Sequence, residues 1–490
     1  MLSPIGKSPV GLNALKTNHT KLRPNRDCIM QPTLTCISPI DSSVYAKRQV
    51  IDLASATQAS NRARTAQKAW AKRPLKARID LVLAGIAKLG EMSATIVPEL
   101  ARMMGRPIRY GGEFGGVDER ARYMADIAES ALKPIIIEQS DAFSRRIERE
   151  PHGVVFVIAP WNYPYMTAIN TVVPALIAGN AVILKHATQT LLVGEHMVSA
   201  FMAAGLPADL FQNFFLDHPT TAKLIGARSF DYINFTGSVA GGKAIEEAAL
   251  GTFIGVGLEL GGKDPGYVMA DADLDAAVET LMDGAMFNAG QCCCGIERIY
   301  VIESLYEAFL EKAVALVSRY QLGDPLAATT TLGPMANQRF ADTVRAQIKA
   351  AIDQGAKPLI DARLFPKDTG KDAYLAPQIL VDVTHDMGVM QDESFGPVVG
   401  IMKVKDDQEA IRLMNDSAYG LTVSLWTQDE TRAANIAAQL ETGTVFMNRA
   451  DYLDPALCWT GCKDTGRGGS LSSIGYHNLT RAKSYHFKKA

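Results

Sequence analysis

The chain has 490 residues, 47% hydrophobic and 21% charged, with 50 basic against 52 acidic side chains. At roughly 150 residues per domain this is material for two or three domains with large cores. It excludes a disordered chain, a collagen-like repeat and a disulfide-stapled miniprotein. A formal net charge of −2 gives no electrostatic reason to expect nucleic acid or an anionic membrane as partner.

The first thirty residues carry Lys7, Lys16, Lys21, Arg23 and Arg26 before the first acid, Asp27. They lack the apolar segment of a secretory signal, and their prolines spoil an amphipathic helix. Residues 1–30 therefore read as a poorly ordered extension. No apolar stretch reaches the ~20 residues that span a bilayer; the richest, Val172 to Leu184, is broken by Pro174, Gly179 and Asn180. Cysteines stand at 28, 36, 292, 293, 294, 458 and 462. An odd number with three consecutive is no disulfide framework and points to a reducing compartment, the cytoplasm.

From Val50 to Ile127 the apolar spacing is helical. The period then changes. Gly153 to Ala159 is a β-branched apolar run, the pattern of a strand covered on both faces. A helix around Ile169 to Ile177, a strand at Asn180 to Lys185, a helix at Leu191 to Ala204 and a strand at Phe211 to Leu216 follow. Lys223 to Ala227 reads as helix and Asp231 to Phe235 as strand. Beyond Gly261 the alternation resumes, with long helices at Ser304 to Tyr320 and Gln338 to Gln354. Strands alternating with helices imply parallel sheets covered by helices. The predicted architecture is two α/β lobes meeting near residues 259 to 265.

No Gly-x-Gly-x-x-Gly follows a strand. Instead Phe235-Thr-Gly-Ser-Val-Ala-Gly-Gly-Lys-Ala244 does, with Gly237 and Gly242 at a strand-to-helix turn. Ser238 is placed as N-cap of a helix through Ile245 to Leu250, whose exposed N–H groups favour a phosphate. The stretch nearly matches the phosphate loop of ATPases, but Ala244 stands where that loop needs a magnesium-holding hydroxyl. A tight turn without ligand is the bland alternative.

Phe287-Asn-Ala-Gly-Gln-Cys-Cys-Cys-Gly295 offers a nucleophile on what reads as a loop. Adjacent thiols are expected not to converge as a Cys-x-x-Cys pair does, and the histidines offer no ligand spacing, so no metal is expected. A thiol attacking a carbonyl needs an oxyanion donor and, for release by water, a base. Asn162, in Pro160-Trp-Asn-Tyr-Pro164, and Glu259, in Leu258-Glu-Leu-Gly-Gly-Lys263, are the candidates. A turn role for Asn162 and a surface role for Glu259 are the dull ones. A Glu among leucines is either half exposed or buried with a raised pKa.

These motifs coincide with a known family. Pro160-Trp-Asn162, Phe235-Thr-Gly-Ser238, Glu259-Leu-Gly-Gly262, Gly290-Gln-Cys-Cys293 and Glu393-Ser-Phe-Gly-Pro397 stand in the order of the aldehyde dehydrogenase superfamily, which the chain resembles over nearly its whole length. The resemblance implies a Rossmann-like cofactor domain, an α/β catalytic domain and a small β oligomerisation element. It places them at 31–130 with 151–261, at 262–470, and at 131–150 with 471–490. It selects Cys293 as nucleophile, Asn162 as oxyanion donor and Glu259 as the base that activates water. NAD or NADP would be held by Ser238 with Gly237 and Gly242 at the pyrophosphate, Trp161, Lys185 and Thr188 on the adenosine side, Leu260, Glu393 at the nicotinamide ribose and Phe395 at the nicotinamide. Tyr163, Met166, Cys292, Cys294 and Trp459 would line the aldehyde pocket.

Departures bear on the cofactor. Lys185-His-Ala-Thr188 lacks the Glu that relatives place at 188 to repel a 2′-phosphate, so NADP use is open. Leu216-Asp-His-Pro-Thr220 replaces a glycine-rich turn. The resemblance also implies a homodimer or homotetramer, although Ser144 to Arg149 alternates poorly as a half-exposed strand. Other readings are an acylating enzyme using coenzyme A, against which Glu259 stands, and a silent structural or binding relative, against which the intact Asn162, Glu259 and Cys293 stand. A mostly apolar pocket favours aliphatic or aromatic aldehydes. Arg449, in Asn448-Arg-Ala-Asp451, is the candidate for holding the carboxylate of a semialdehyde, a surface arginine being its plain alternative.

Overall fold

The computed structural model of the chain describes residues 32–450 and 452–489; the basic N-terminal segment, Cys28 and Asp451 lie outside them. The apolar run after Gly153 forms the strand Val154–Ala159, buried at every position. It is central to a six-stranded sheet with Gly466–Arg467, Gly255–Glu259 and Tyr232–Thr236 on one side and Ala181–His186 and Phe211–Asn213 on the other. All neighbours are parallel except Gly466–Arg467. The parallel strands take the order 3-2-1-4-5 of a dinucleotide-binding sheet, which reverses between the strands Val154–Ala159 and Tyr232–Thr236. The crevice at their carboxyl ends is where Pro160-Trp-Asn162 and Gly237-Ser238 emerge.

A second, seven-stranded sheet runs Lys357–Pro358, Gln378–Val381, Val398–Val404, Ile296–Ile302, Asp264–Val268, Thr422–Trp426 and Thr444–Met447, parallel except at its first pair. The first sheet's strand Gly255–Glu259 and the second's Asp264–Val268 flank the expected meeting point of the lobes. The helix Leu274–Met286 leads into the thiol loop.

Several elements differ from expectation. The helix after Asn162 starts at Pro164 and runs to Ala178, because Pro164 suits the first helical turn. The helix expected at Lys223 begins at His218, where Asp217 caps it by accepting from Thr220 N. The strand Phe211–Asn213 ends earlier than expected. Ser238 caps the helix Val239–Ala249 as expected, and the helix ends one residue before the expected Leu250.

Ser144 to Arg149, expected in a β element despite its poor alternation, is strand. It lies inside the strand Phe143–Pro151, half-buried throughout, between Thr480–Lys488 and Ile135–Gln139 in an antiparallel three-stranded sheet. With both faces half exposed it has no reason to alternate. Its side chains pair instead: Arg145 with Glu138 at 2.6 Å and Arg146 with Glu148 at 2.5 Å. Among the described residues no single helix is long and apolar enough to cross a membrane.

Candidate active site

The thiol loop is built by backbone that most residues avoid. Asn288, Ala289 and Gly290 have φ of 55, 57 and 69°, a left-handed run that persists only where surroundings enforce it. A Cβ on Gly290 would fall 2.1 Å from the Gly396 carbonyl oxygen, so the loop lies directly on the Glu393 to Pro397 turn. Gln291 fastens it, donating Nε2 to the Asn288 carbonyl at 2.9 Å and accepting from Ala336 N at 2.8 Å.

The sequence argument about the thiols fails here. A turn closed by Gly295 N donating to the Cys292 carbonyl at 3.1 Å folds the three side chains together. Their sulfurs all lie within 4.8 Å of one another, with Cys292 and Cys294 Sγ 3.4 Å apart. Among the described residues no further Cys, His, Asp or Glu joins this group. Cys292 and Cys294 are buried and Cys293 is part-exposed. The neighbouring thiols lower the pKa of Cys293, while their own are raised. A lowered pKa favours the thiolate, the reactive form of a thiol.

Asn162 reaches the loop from the first sheet. It is 3% exposed, and its Nδ2 donates to the Gln291 carbonyl at 3.2 Å. That leaves one amide N–H free to point at a second acceptor. The Cys293 backbone N–H makes no hydrogen bond among the described residues. Behind Asn162 stands a buried ion pair, Arg106 to Glu113 at 2.7 Å. Arg106 also donates to the Asn162 carbonyl and to Asn288 Oδ1, and its guanidinium lies 4.8 Å over the Tyr163 ring. The other Glu113 oxygen accepts Tyr165 N and Met166 N, otherwise unpaired donors of the helix start.

Glu259 ends the strand Gly255–Glu259 beside Thr236, whose hydroxyl donates to its Oε2 at 3.2 Å. Its Oε1 is shut away from solvent and has no hydrogen-bond partner among the described residues. Burial raises its pKa, Ser470, Thr236 and Arg120 opposing. The structure lies between the two states expected of a Glu among leucines: the residue is half-buried, but its Oε1 is shut from solvent and its pKa is raised.

The candidate cofactor residues gather along the same sheet edge. Ser238 accepts from Gly241 N at 3.2 Å, and a Cβ on Gly242 would lie 2.8 Å from Leu260. The glycine therefore lets the capped helix close on Leu260 and leaves its N-terminus open to a phosphate. Lys185, buried on the neighbouring strand, forms no hydrogen bond or ion pair among the described residues. Burial lowers its pKa, and the Asp217 charge opposes this. Thr188 is exposed in the turn that follows. Glu393 accepts from Gly262 N at 3.1 Å, and burial and Glu297 push its pKa up to about 8. Phe395 meets Trp161 edge-on at 5.5 Å, and Trp161 stacks on Phe340 at 5.2 Å. An unpaired buried cation, an open helix N-terminus and an aromatic wall at a switch point fit a dinucleotide.

Met166 and Tyr163 pack with Cys293 against the cluster holding Cys292, Cys294 and Trp459. Arg449 is not with them. It is exposed and stacks on Tyr452 at 3.7 Å. Sequence reasoning missed Arg106, Glu113 and Glu297, and quoted Gln291 within its motif without a role. Glu297 accepts Lys263 Nζ at 2.7 Å, Ser394 N at 2.7 Å and Phe395 N at 2.8 Å, fixing the turn that carries Glu393. Only spatial proximity identifies these groups, and no spacing announces it.

The aldehyde dehydrogenase family model matches residues 29–485. An aldehyde dehydrogenase of Paenarthrobacter nicotinovorans is 35% identical over 74% of this chain and 79% of its own. A succinate semialdehyde dehydrogenase of Escherichia coli (strain K12), NAD(P)+-dependent by its name, is 34% identical over 78% of this chain and 82% of its own. Among solved structures, an NADP-dependent glyceraldehyde-3-phosphate dehydrogenase of Bacillus halodurans C-125 complexed with NADP superposes with a TM-score of 0.88 at 32% identity, over 94% of this chain and 96% of that one. The chain belongs to the aldehyde dehydrogenase family and is an NAD(P)-dependent oxidoreductase that acts on aldehydes.

Proposed function

We propose that the chain oxidises an aldehyde to the free carboxylic acid through a thioester on Cys293. What supports this is a set of three groups from separate elements: the part-exposed Cys293 sulfur, the Asn162 amide beside the Gln291 carbonyl, and the half-buried Glu259 carboxylate with one oxygen unpartnered among the described residues. Cys293 Sγ adds to the carbonyl carbon, and the displaced electron pair on oxygen is met by Asn162 Nδ2 and the Cys293 N–H. NAD(P), when bound, supplies the hydride acceptor. With the hydride gone the C=O re-forms as a thioester. Glu259 then takes a proton from the attacking water, the C–S bond breaks and the Cys293 thiolate is restored. Glu259→Gln tests this: one equivalent of NAD(P)H should form rapidly and turnover then stop. Steady acid release by that variant would refute the assignment.

On the same reading Ser238 and the helix it caps hold the pyrophosphate, Lys185 and Thr188 face the adenosine ribose, and Glu393 and Phe395 face the nicotinamide end. Nothing at Thr188 repels a 2′-phosphate, so NADP is accepted. Thr188→Glu should lower kcat/KM with NADP about tenfold against NAD. The six-stranded sheet is the cofactor domain, the seven-stranded sheet the catalytic domain, and the three-stranded sheet the oligomerisation element.

The partner of that element is a second copy of the chain. Ile135–Gln139 is an edge strand, and Ile135, Ile136 and Ile137 are 57, 58 and 54% exposed, a hazard unless covered. Ile136→Lys should shift the mass in light scattering toward the monomer. The six described cysteines are free thiols, which supports a reducing, cytoplasmic compartment.

A further inference from the structure

The helix Phe114–Leu132 lies against the helix Pro164–Ala178, whose first turn follows Asn162. From it Arg120 reaches that second helix at Asn170 and Met166, one to two turns beyond Asn162. The residue is 7% exposed, and only its Nη1 is engaged, by Asn170 Oδ1 at 3.2 Å and by the Met166 carbonyl at 3.5 Å. Among the described residues it has no ion pair. It lies within electrostatic reach of Glu113, Cys294, Cys293 and Glu259, yet Glu113 is already held by Arg106. Asn170 is 2% exposed, and with its Oδ1 given to Arg120 its Nδ2 has no acceptor among the described residues.

A buried cation without a counter-ion is costly, and a buried donor without an acceptor adds to the cost. Here both stand together, beside Met166, and both are donors. Nothing but an acceptor, preferably an anionic one, completes such a pair. Burial lowers the Arg120 pKa, but a guanidinium keeps its proton in proteins, so the charge remains to be met.

We propose that Arg120, with Asn170, binds a carboxylate at the far end of the aldehyde, so that the physiological substrate is an ω-oxo acid and Arg120 sets the specificity. The inference rests on the reaction proposed above and names its substrate class. Arg449, exposed and stacked on Tyr452, does not take this part.

The test pairs ω-oxo acids of increasing chain length with the n-alkanals of equal carbon number. The best oxo acid should exceed its alkanal in kcat/KM by about a hundredfold, the range for a buried charge left unpaired. Arg120→Leu should remove that advantage through KM for the oxo acid and leave the alkanals within about threefold; Arg120→Lys should restore part of it. Equal loss on both series would make Arg120 a structural residue and overturn the proposal, as would alkanals preferred by the unaltered enzyme. Calorimetry with succinate and glutarate reads the site without turnover. Dicarboxylate binding lost in Arg120→Leu, in an enzyme that oxidises no aldehyde, would support the site and refute the reaction. Binding unchanged in Arg120→Leu would refute the site alone.

Discussion

Arg106 and Arg120 are both buried guanidiniums beside the segment that follows Trp161, 4 and 7% exposed, and they are held in opposite ways. Arg106 has a carboxylate at 2.7 Å, a backbone carbonyl and an amide oxygen. Arg120 has an amide oxygen, a distant carbonyl and no carboxylate among the described residues. The first charge is neutralised inside the chain, so its energy goes into fixing Asn162 and the helix start. The second is left to something the chain does not contain. Burial alone distinguishes framework from binding site poorly; the completeness of the hydrogen bonding distinguishes them well.

Substitutions that leave shape nearly unchanged can break this contrast. Arg106→Met strands the Glu113 carboxylate in the interior and should cost about 3–5 kcal/mol in urea unfolding. A loss below 1 kcal/mol would show that the pair is not the framework described. Asn162→Ala removes one oxyanion donor while keeping the loop, and kcat should fall by about 10²–10³ with the denaturation midpoint little changed. Arg120→Met replaces an unpaired charge with an apolar chain, and stability should hold within about 1 kcal/mol or improve. A loss equal to that of Arg106→Met would erase the difference between the two arginines.

The pH dependence sharpens the same point at Glu259. Its folded-state pKa is raised by burial, and the base must be ionised, so hydrolysis should fall on acidification at a pH above the usual carboxylate range. For stability the sign is reversed. A raised folded-state pKa favours the native protein at low pH, and this is lost as pH rises through that pKa. Glu259→Gln should therefore gain on the unaltered enzyme in unfolding free energy as pH increases. A pH-independent difference would mean that the carboxylate is not desolvated.

Local chemistry explains what was legible in sequence. Val154–Ala159 is buried on both faces, and its continuous apolar run says so. Ser238 caps its helix because a hydroxyl there satisfies an open N–H. Asn162 and Glu259 stand out as candidates by their flanking prolines and leucines, whereas the choice of Cys293 among three thiols comes only from the resemblance. What lay hidden depends on contacts across the chain. The Arg106 to Glu113 pair gains its meaning only from Asn162 and Met166 packing beside it. The three thiols converge through a turn whose closing bond no composition reveals. Ser144 to Arg149 escapes the period-2 test because neither face of its strand is fully buried. Arg449 is the arginine singled out in sequence and Arg120 is not; only the fold turns the first outward and buries the second.

The central claim is that one sulfur, Cys293, carries the acyl group between oxidation and hydrolysis. Mass spectrometry of Glu259→Gln quenched after a single turnover measures this directly. The peptide spanning residues 287 to 295 should gain the mass of the acyl group, and fragmentation should place it on Cys293. An unmodified peptide after NAD(P)H has formed, or an adduct resident on Cys292 or Cys294, would contradict the account.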